Sequence, residues 1–496
     1  RSIAELAEDL PDRDAAFELA RRARETPEEV LQFMRTAVGM AKLCTLLHND
    51  DLSYLALWMI SSLADEDEEF ALELVWTPGV LPRVASFLPS PLAAEAIADI
   101  ATFDNDDAMR QICATTGLIE GLAATLPHQQ ALLAFRNISC CDATDTFHQI
   151  CSTAGVVDGL LEALPDEDAA YAIAHMTPIS AKVIRANGGL PRMVHALPSP
   201  HASLAIAAVA YDLPALLPDL FAIEGLVEGL TRTLPSQQAS FALLKLCPDQ
   251  DSAHTVSLAP SLLESLVHAL IEDGGDLQSD YGEDNYEDPR FDHLAALTRL
   301  HLSPDVARRI IDIPDLMQGV LACLEDPVVC FAASRMLSEP NWLWPPSADD
   351  TNLLCGALGR AATRWEPHRC AAGHTLAWDE KEVWSWQHFR CDACMGARLG
   401  LFTCSTCDYG YCADCRRGVA WPVVALQRCL REHLHRGEGW HEPLAQLLAS
   451  RDLGSPHSEF VQAALQEAAL ECAPLAKMLR NLNVDLGAET TKPHID

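Results

Sequence analysis

The sequence is poor in basic and aromatic residues. Lys and Arg total 35 against 71 Asp and Glu, for a formal net charge of −36, and aromatics make up only 6% of the 496 residues. Such an acidic surface repels phosphate backbones and anionic lipid, which disfavours nucleic acid and favours basic proteins or peptides as partners. Apolar runs such as residues 55–63 are too short and too interrupted to insert into a membrane.

Recognisable catalytic motifs are also missing. The sequence has no phosphate-cradling glycine loop, no His-Glu-x-x-His helix and no strand-to-helix nucleophile motif. His175 and His195 fall within helical patterns, where a structural or solvated role is expected. We therefore expect a protein that is not an enzyme.

Cysteine is plentiful but unevenly placed. Of 18 Cys residues, 11 are scattered, mostly at apolar positions of helical patterns, where a thiol behaves as a small buried hydrophobe. The other seven fall within residues 370–415, which is typical of metal binding rather than of a disulfide framework. This distribution predicts a reducing, intracellular environment, cytoplasmic or nuclear.

Glycine and proline punctuate an internal repeat. Each copy starts with a glycine and aliphatic residues, continues to a Leu-Pro pair, and is followed by a second apolar helix and a third, mixed segment. The starting glycines are Gly79, Gly117, Gly155, Gly189 and Gly225, spaced by 38, 38, 34 and 36 residues, with a weaker copy at Gly39. One unit cannot bury its own apolar faces but stacked units can, so the period predicts a solenoid.

Two of these segments, Asn105–Ser139 and Gly39–Ala64, resemble armadillo repeats. The resemblance covers roughly residues 30–260, with degenerate copies to about 360. It implies an all-α, right-handed armadillo/HEAT-like helical solenoid. A HEAT-like or other two-helix array remains an alternative.

In armadillo proteins the third helix of each repeat lines a groove, and nuclear-import adaptors carry Trp and Asn there, four residues apart, to clamp extended basic peptides. The aligned pairs here are Trp58/Ser62, Glu95/Asp99, Leu133/Asn137, Tyr171/His175, Leu204/Ala208 and Phe241/Lys245. No pair has both Trp and Asn. The resemblance therefore implies an acidic patch at Glu95 and Asp99, with Trp58, Asn137 and Tyr171 as further peptide-binding candidates. Groove lining without a dedicated ligand is the alternative.

The remaining chain divides by composition. We expect the repeat domain to cover residues 1–365, with a disordered acidic insert at about 272–289. A zinc module is expected at 366–420, closing helices at 421–484 and a mobile tail at 485–496.

The cysteine cluster contains four ligand pairs. Seven Cys and one His in such pairs supply two closed tetrahedral sites, which predicts two structural Zn²⁺ ions. The predicted ligands are Cys370, His374, Cys391, Cys394, Cys404, Cys407, Cys412 and Cys415. Both cross-braced pairing, in which alternate pairs share an ion, and sequential pairing satisfy the valence.

Arg390–Cys415 resembles a ZZ-type zinc finger, and the leading Cys370-x3-His374 is similar to the front of divergent diacylglycerol-domain fingers. In ZZ fingers the second zinc usually takes downstream histidines, so His433, His435 and His441 are alternatives to Cys370 and His374. Some ZZ fingers bind a free protein amino terminus through three aspartates. Asp392 and Asp408 match two of these positions, while Gly410 occupies the third. A module that only caps the solenoid is the alternative.

These features together predict an intracellular scaffold or adaptor that binds basic or N-terminal peptide segments. A ubiquitin-ligase component, or a subunit that recognises degrons, is a second hypothesis. A structural subunit of a large assembly is a third.

Overall fold

The computed structural model describes residues 1–103, 105–140, 144–186, 188–272, 289–301 and 303–325, short pieces at 329, 333–334, 336–337 and 357, and three short strands. The chain divides into two compact units, Arg1–Gly229 and Leu230–Asp496. The predicted insert, apart from its end residues 272 and 289, and the predicted closing helices and tail lie outside the described residues, as do His433, His435 and His441.

Helices make up the first unit. They are α1 (Ile3–Glu8), α2 (Arg13–Glu25), α3 (Pro27–Met34), α4 (Ala37–Leu47), α5 (Ser53–Glu66), α6 (Glu68–Trp76), α7 (Val80–Ala85), α8 (Pro91–Ile100), α9 (Asp106–Ala114), α10 (Leu118–Thr125), α11 (Gln129–Ser139), α12 (Thr144–Ser152), α13 (Val156–Ala163), α14 (Glu167–Ala186), α15 (Gly189–His195), α16 (Pro200–Asp212), a 3-10 turn (Pro214–Leu216) and α17 (Leu217–Phe221). Helix α18 (Leu226–Thr233) runs into the second unit.

These helices recur in threes. The triplets α3–α5, α6–α8, α9–α11 and α12–α14 each end in a helix that packs against the last helix of the next triplet. The continuous row α2, α5, α8, α11, α14 and α16 therefore forms one layer of the first unit. Three helices per repeat match the predicted solenoid and do not fit the two-helix alternative.

Repeat boundaries depend on a left-handed glycine and a Leu-Pro corner. Gly79, Gly117, Gly155 and Gly225 have φ between 79° and 88° and precede the second helix of their repeats. This conformation is favourable only without a Cβ, so the predicted helix starts are confirmed. The Leu-Pro peptide bonds at Pro11, Pro89, Pro127, Pro165, Pro198 and Pro235 are all cis.

Two predicted repeat starts were wrong. The left-handed glycine of the fourth copy is Gly188 (φ 64°), and Gly189 is the first residue of α15. Gly39 lies inside α4, whose N-cap is Thr36. A Cβ at Gly39 would lie 2.3 Å from the backbone oxygen of Phe33, so this glycine permits a close helix approach rather than a turn.

The second unit contains α19 (Gln237–Leu246), α20 (Gln250–Ser257), α21 (Leu262–Glu272), α22 (Arg290–Leu300), α23 (Pro304–Ile311) and α24 (Leu316–Glu325). An antiparallel sheet of β1 (Ala377–Asp379), β2 (Leu401–Thr403) and β3 (Gly410–Cys412) lies in the predicted zinc module, with Leu401 opposite Cys412.

Among the described helices, no single one is long and apolar enough to cross a membrane. Two bent pairs, α3 with α4 and α16 with α17, reach that length and hydropathy only when their two helices are taken together.

Candidate functional site

The third helices of the first unit present a row of partly exposed side chains. Within their mostly buried central turns, α5, α8, α11 and α14 share two partly exposed positions, four residues apart, in addition to Arg136 of α11 and Ala174 of α14. We call the residues at the two shared positions the third-helix row: Trp58, Ser62, Glu95, Asp99, Leu133, Asn137, Tyr171 and His175. They are the positions that the sequence alignment assigned to a groove.

Acidic groups cluster where α5 packs on α8. Ser61 hydrogen-bonds the carboxyl group of Asp99, and the carboxylates of Asp65 and Glu95 lie near enough to repel it. Burial, reinforced by these two neighbours, raises the pKa of Asp99 from 3.8 to about 6, although the Ser61 hydrogen bond opposes the shift. The sequence analysis identified Glu95 and Asp99 but not Asp65, which comes from the preceding repeat.

Two aromatic side chains reach the surface of α5, the helix that also carries Asp65. Trp58 is partly exposed, and Tyr54, one turn earlier, is 41% exposed. Residues four apart share a helix face, so these rings and Ser62 lie along one line on α5. Tyr54 was missed because the alignment considered only two positions in each repeat.

The side-chain amide of Asn137 is hydrogen-bonded within the protein. Its Nδ2 donates hydrogen bonds to the carbonyl oxygen of Ala98 at 2.9 Å and to Oγ1 of Thr102 at 3.3 Å. Ala98 lies in the last turn of α8 and Thr102 follows that helix; the Ala98 oxygen also accepts from Ala101 N at 3.1 Å and from Thr102 Oγ1 at 3.2 Å. The amide hydrogens of Asn137 therefore join α11 to α8 instead of facing a ligand.

The ring of Tyr171 is covered on one face by Arg136. The guanidinium carbon lies 4.7 Å from the ring centroid. The same guanidinium donates to Asp168 at 2.7 Å and lies 3.8 Å from Glu167. This end of the row is thus filled by internal cation–π and ion-pair contacts, and the predicted stacking surface is open on one face at most.

His175 follows on the same face of α14. Its Nε2 lies 3.8 Å from Sγ of Cys140, and its buried Nδ1 has no hydrogen-bond partner among the described residues. Burial, with a smaller contribution from Arg136, lowers the pKa of His175. A neutral imidazole in this position adds no charge to the row.

The predicted metal site cannot be located in the same way. Cys370, His374, Cys391, Cys394, Cys404, Cys407 and Cys415, together with Asp392 and Asp408, lie outside the described residues. Only the backbone of Cys412 is described, as the last residue of β3. Among the residues that the structure describes, no group of three or more His, Cys, Asp or Glu side chains is arranged to hold a metal ion.

No protein-family model matches the chain, and no curated protein matches it in sequence. A chain from a structure on the interaction between cadherin and β-catenin is 14% identical, with a TM-score of 0.48, covering 99% of this chain and 96% of that one. A designed armadillo repeat protein for modular peptide recognition is 20% identical, with a TM-score of 0.37 over 41% of this chain and 98% of its own. Another, in complex with the peptide (KR)4, is 19% identical, with a TM-score of 0.35 over 49% and 99%. Two of these three solved structures are of designed armadillo repeat proteins.

Proposed function

We propose that this protein is a non-enzymatic adaptor that binds an extended basic segment of a partner protein at the α5–α8 end of the third-helix row. The observation that carries the proposal is the crowding of Asp65, Glu95 and Asp99 where α5, which also exposes Trp58 and Tyr54, packs on α8. A carboxylate that is desolvated and repelled by two others is unfavourable in its charged form. A bound cation offsets the repulsion and stabilises the charged form.

The aromatic pair extends this surface. The faces of Tyr54 and Trp58 attract ammonium and guanidinium groups and accept the aliphatic parts of Lys and Arg. The α11–α14 end of the row presents less free aromatic and acidic surface, because Arg136 already covers Tyr171 and pairs with Asp168. The basic segment is therefore expected to centre on α5 and α8.

Fluorescence anisotropy with a labelled octapeptide of alternating Lys and Arg tests this proposal. Replacing Glu95→Gln together with Asp99→Asn removes two charge-assisted contacts and should weaken binding roughly tenfold or more. The matched control is Glu120→Gln with Glu162→Gln, which removes the same charge from exposed positions on the second helices α10 and α13. If both double variants lose the same affinity, the effect comes from the overall charge, and the proposed site at Glu95 and Asp99 is excluded.

We also propose that residues 370–415 hold two structural Zn²⁺ ions. The seven thiol groups and one imidazole are donors that zinc prefers. Cys404 and Cys407 belong to the segment that joins the paired strands β2 and β3, and Cys412 ends β3. This placement supports the proposal because a short hairpin keeps these pairs close together in space.

Metal analysis of the purified full chain tests this second proposal. Wild type should contain about two zinc ions per chain, and Cys391→Ser with Cys394→Ser should lose about one of them. Cys44→Ser, a partly exposed thiol of α4, is the control and should keep both. Unaltered zinc content in the Cys391/Cys394 variant would exclude these ligands. If the module binds free amino termini, Asp392→Asn with Asp408→Asn should weaken that binding while both ions are kept.

A further inference from the structure

The second unit contains a cleft that shares no residue with the third-helix row. It has a volume of about 240 Å³ and opens between the Leu234-Pro235 corner and α21. Leu234, Pro235 and Ala269 supply its apolar surface. Glu264, His268 and Glu272, spaced by four residues, line it from one face of α21.

The cleft occurs where the repeat departs from its own packing rule. In three junctions of the first unit, the leucine of a Leu-Pro corner faces a glycine of the next second helix. An added Cβ would come within 2.6–2.8 Å of that leucine. The facing pairs are Leu88 with Gly121, Leu126 with Gly159 and Leu197 with Gly229.

At the next junction both glycines of the repeat are serines. Ser261 adopts the left-handed conformation (φ 58°) that glycine adopts in the other copies. Ser265 N donates to Ser261 O at 2.8 Å, just as Gly229 N donates to Gly225 O at 2.8 Å. Ser265 thus occupies the packing-glycine position, and it lines the cleft together with Leu234. Ser265 therefore has a side chain where Gly121, Gly159 and Gly229 have none.

The residues that line the cleft favour a ligand with a positive charge and an apolar stem. Two carboxylates border an apolar surface, and none of the described residues that line it is Lys or Arg. Nδ1 of His268 lies 3.2 Å from Oε2 of Glu272, which restrains that carboxylate. An arginine side chain satisfies both features, because its stem covers apolar surface and its planar guanidinium binds carboxylates with paired hydrogen bonds.

We propose that this cleft binds the side chain of an arginine in a partner polypeptide. The site is separate from the third-helix row and uses none of its residues. Its charge complements a cationic ligand, and the volume between the Leu234-Pro235 corner and α21 admits one side chain rather than a helix.

Methyl-resolved NMR of the full chain tests the proposal, with a capped Gly-Arg-Gly peptide as the probe. The methyl signals of Leu234 and Ala269 should shift and saturate, whereas the same peptide with citrulline, which is uncharged and nearly isosteric, should not shift them. Glu264→Gln with Glu272→Gln should weaken the interaction about tenfold or more. The methyl signals of Leu133 report the third-helix row separately, so the two sites can fail independently.

Several outcomes would overturn the proposal. Leu234 and Ala269 signals that stay fixed throughout the titration exclude binding in the cleft. Equal shifts with citrulline show that charge plays no part, and equal shifts with a lysine peptide remove the assignment to arginine. Unchanged methyl signals of Leu243 and Val306, both buried in the second unit, in the Glu264/Glu272 variant verify that this unit is folded, so lost binding cannot be attributed to unfolding.

Discussion

Among the described Asp and Glu residues, Asp99 has the carboxyl group whose charged form is most destabilised by its surroundings. Its carboxyl group is partly desolvated and faces Asp65 and Glu95, so its pKa is raised from 3.8 to about 6. From about pH 4 to about pH 6 the folded chain keeps a proton that the unfolded chain has released. The contribution of Asp99 to the free energy of unfolding therefore decreases as the pH rises through this window.

Asp99→Asn should remove this pH dependence. Relative to wild type, the variant should gain about 1–2 kcal/mol of stability between pH 4 and pH 7, after a discount for the partial exposure of the group. Urea denaturation at both pH values measures the difference. Parallel pH profiles for wild type and variant would show that the Asp99 carboxyl is not perturbed in the folded chain.

Ser261 is a second residue in an unfavourable setting. Its φ of 58° is disfavoured for a residue with a Cβ, whereas the equivalent residue in other copies is glycine. Ser261→Gly should therefore raise the free energy of unfolding by about 1 kcal/mol. The reverse change, Gly155→Ser, should destabilise by a similar amount, because a Cβ there has no atom within 4 Å and only the backbone is strained. A lower urea midpoint for Ser261→Gly would contradict this explanation.

For single residues, the sequence predicts which positions belong to the third-helix row better than it predicts the contacts that their side chains make. The pairs of the third-helix row are recognisable because the other faces of those helices are apolar. The hydrogen bonds of Asn137 to α8, and the contact of Arg136 with Tyr171, depend on the spacing between repeats. A single helix pattern holds no information on that spacing, so Asn137 and Tyr171 were expected to be more open than they are.

At three joints, packing between successive second helices depends on one leucine and one glycine. A Cβ at Gly121 would lie 2.6 Å from Cβ of Leu88, too close for the leucine to avoid by rotating its side chain. The clash should exceed the gain in helix propensity from replacing glycine. We expect Gly121→Ala to lower the free energy of unfolding by about 1–2 kcal/mol.

A double-mutant cycle distinguishes this clash from a general intolerance of Gly121. In a Leu88→Gly background the obstructing Cβ and the atoms beyond it are removed, so Gly121→Ala should cost far less or become stabilising. The free energy of unfolding of all four chains gives the coupling. Strictly additive effects would show that Leu88 and Gly121 do not oppose each other in this way.

The same joint shows which part of an element can be recognised in the sequence. The opening glycines were identified because they recur with aliphatic neighbours and precede a Leu-Pro pair. Gly121, Gly159 and Gly229 follow three of the five left-handed glycines by four residues, yet they lie inside helices, where glycine has no conformational signature. Their role appears only when the neighbouring repeat is in place, and the same is true of the cleft beside Ser265.

At the scale of the whole molecule, repetition of the helical triplet was predictable, whereas the division after Gly229 was not. The triplet follows from the period of glycine, proline and apolar residues in the sequence. The division falls inside α18, at a position that no change of composition marks. It depends on how many contacts each repeat makes with its neighbours, which the sequence does not state.

Charge is also a property of the whole chain. A net charge of −36 makes the compact state repel itself more strongly than the expanded unfolded chain does. Ion pairs such as Arg136 with Asp168 act in the opposite direction, but most of the ion pairs in the described residues are at least partly exposed and contribute little. Overall repulsion should therefore dominate the response to salt.

Raising NaCl from about 20 mM to about 200 mM shortens the Debye length from about 20 Å to about 7 Å and screens this repulsion. We expect the thermal unfolding midpoint to rise by about 1 °C, as an increase in unfolding free energy of about 1 kcal/mol implies for a chain of this size. Differential scanning calorimetry measures the shift, and sucrose at equal osmolarity is the non-ionic control. A midpoint that falls with salt would mean that specific ion pairs outweigh the excess negative charge, because screening weakens attraction and repulsion alike.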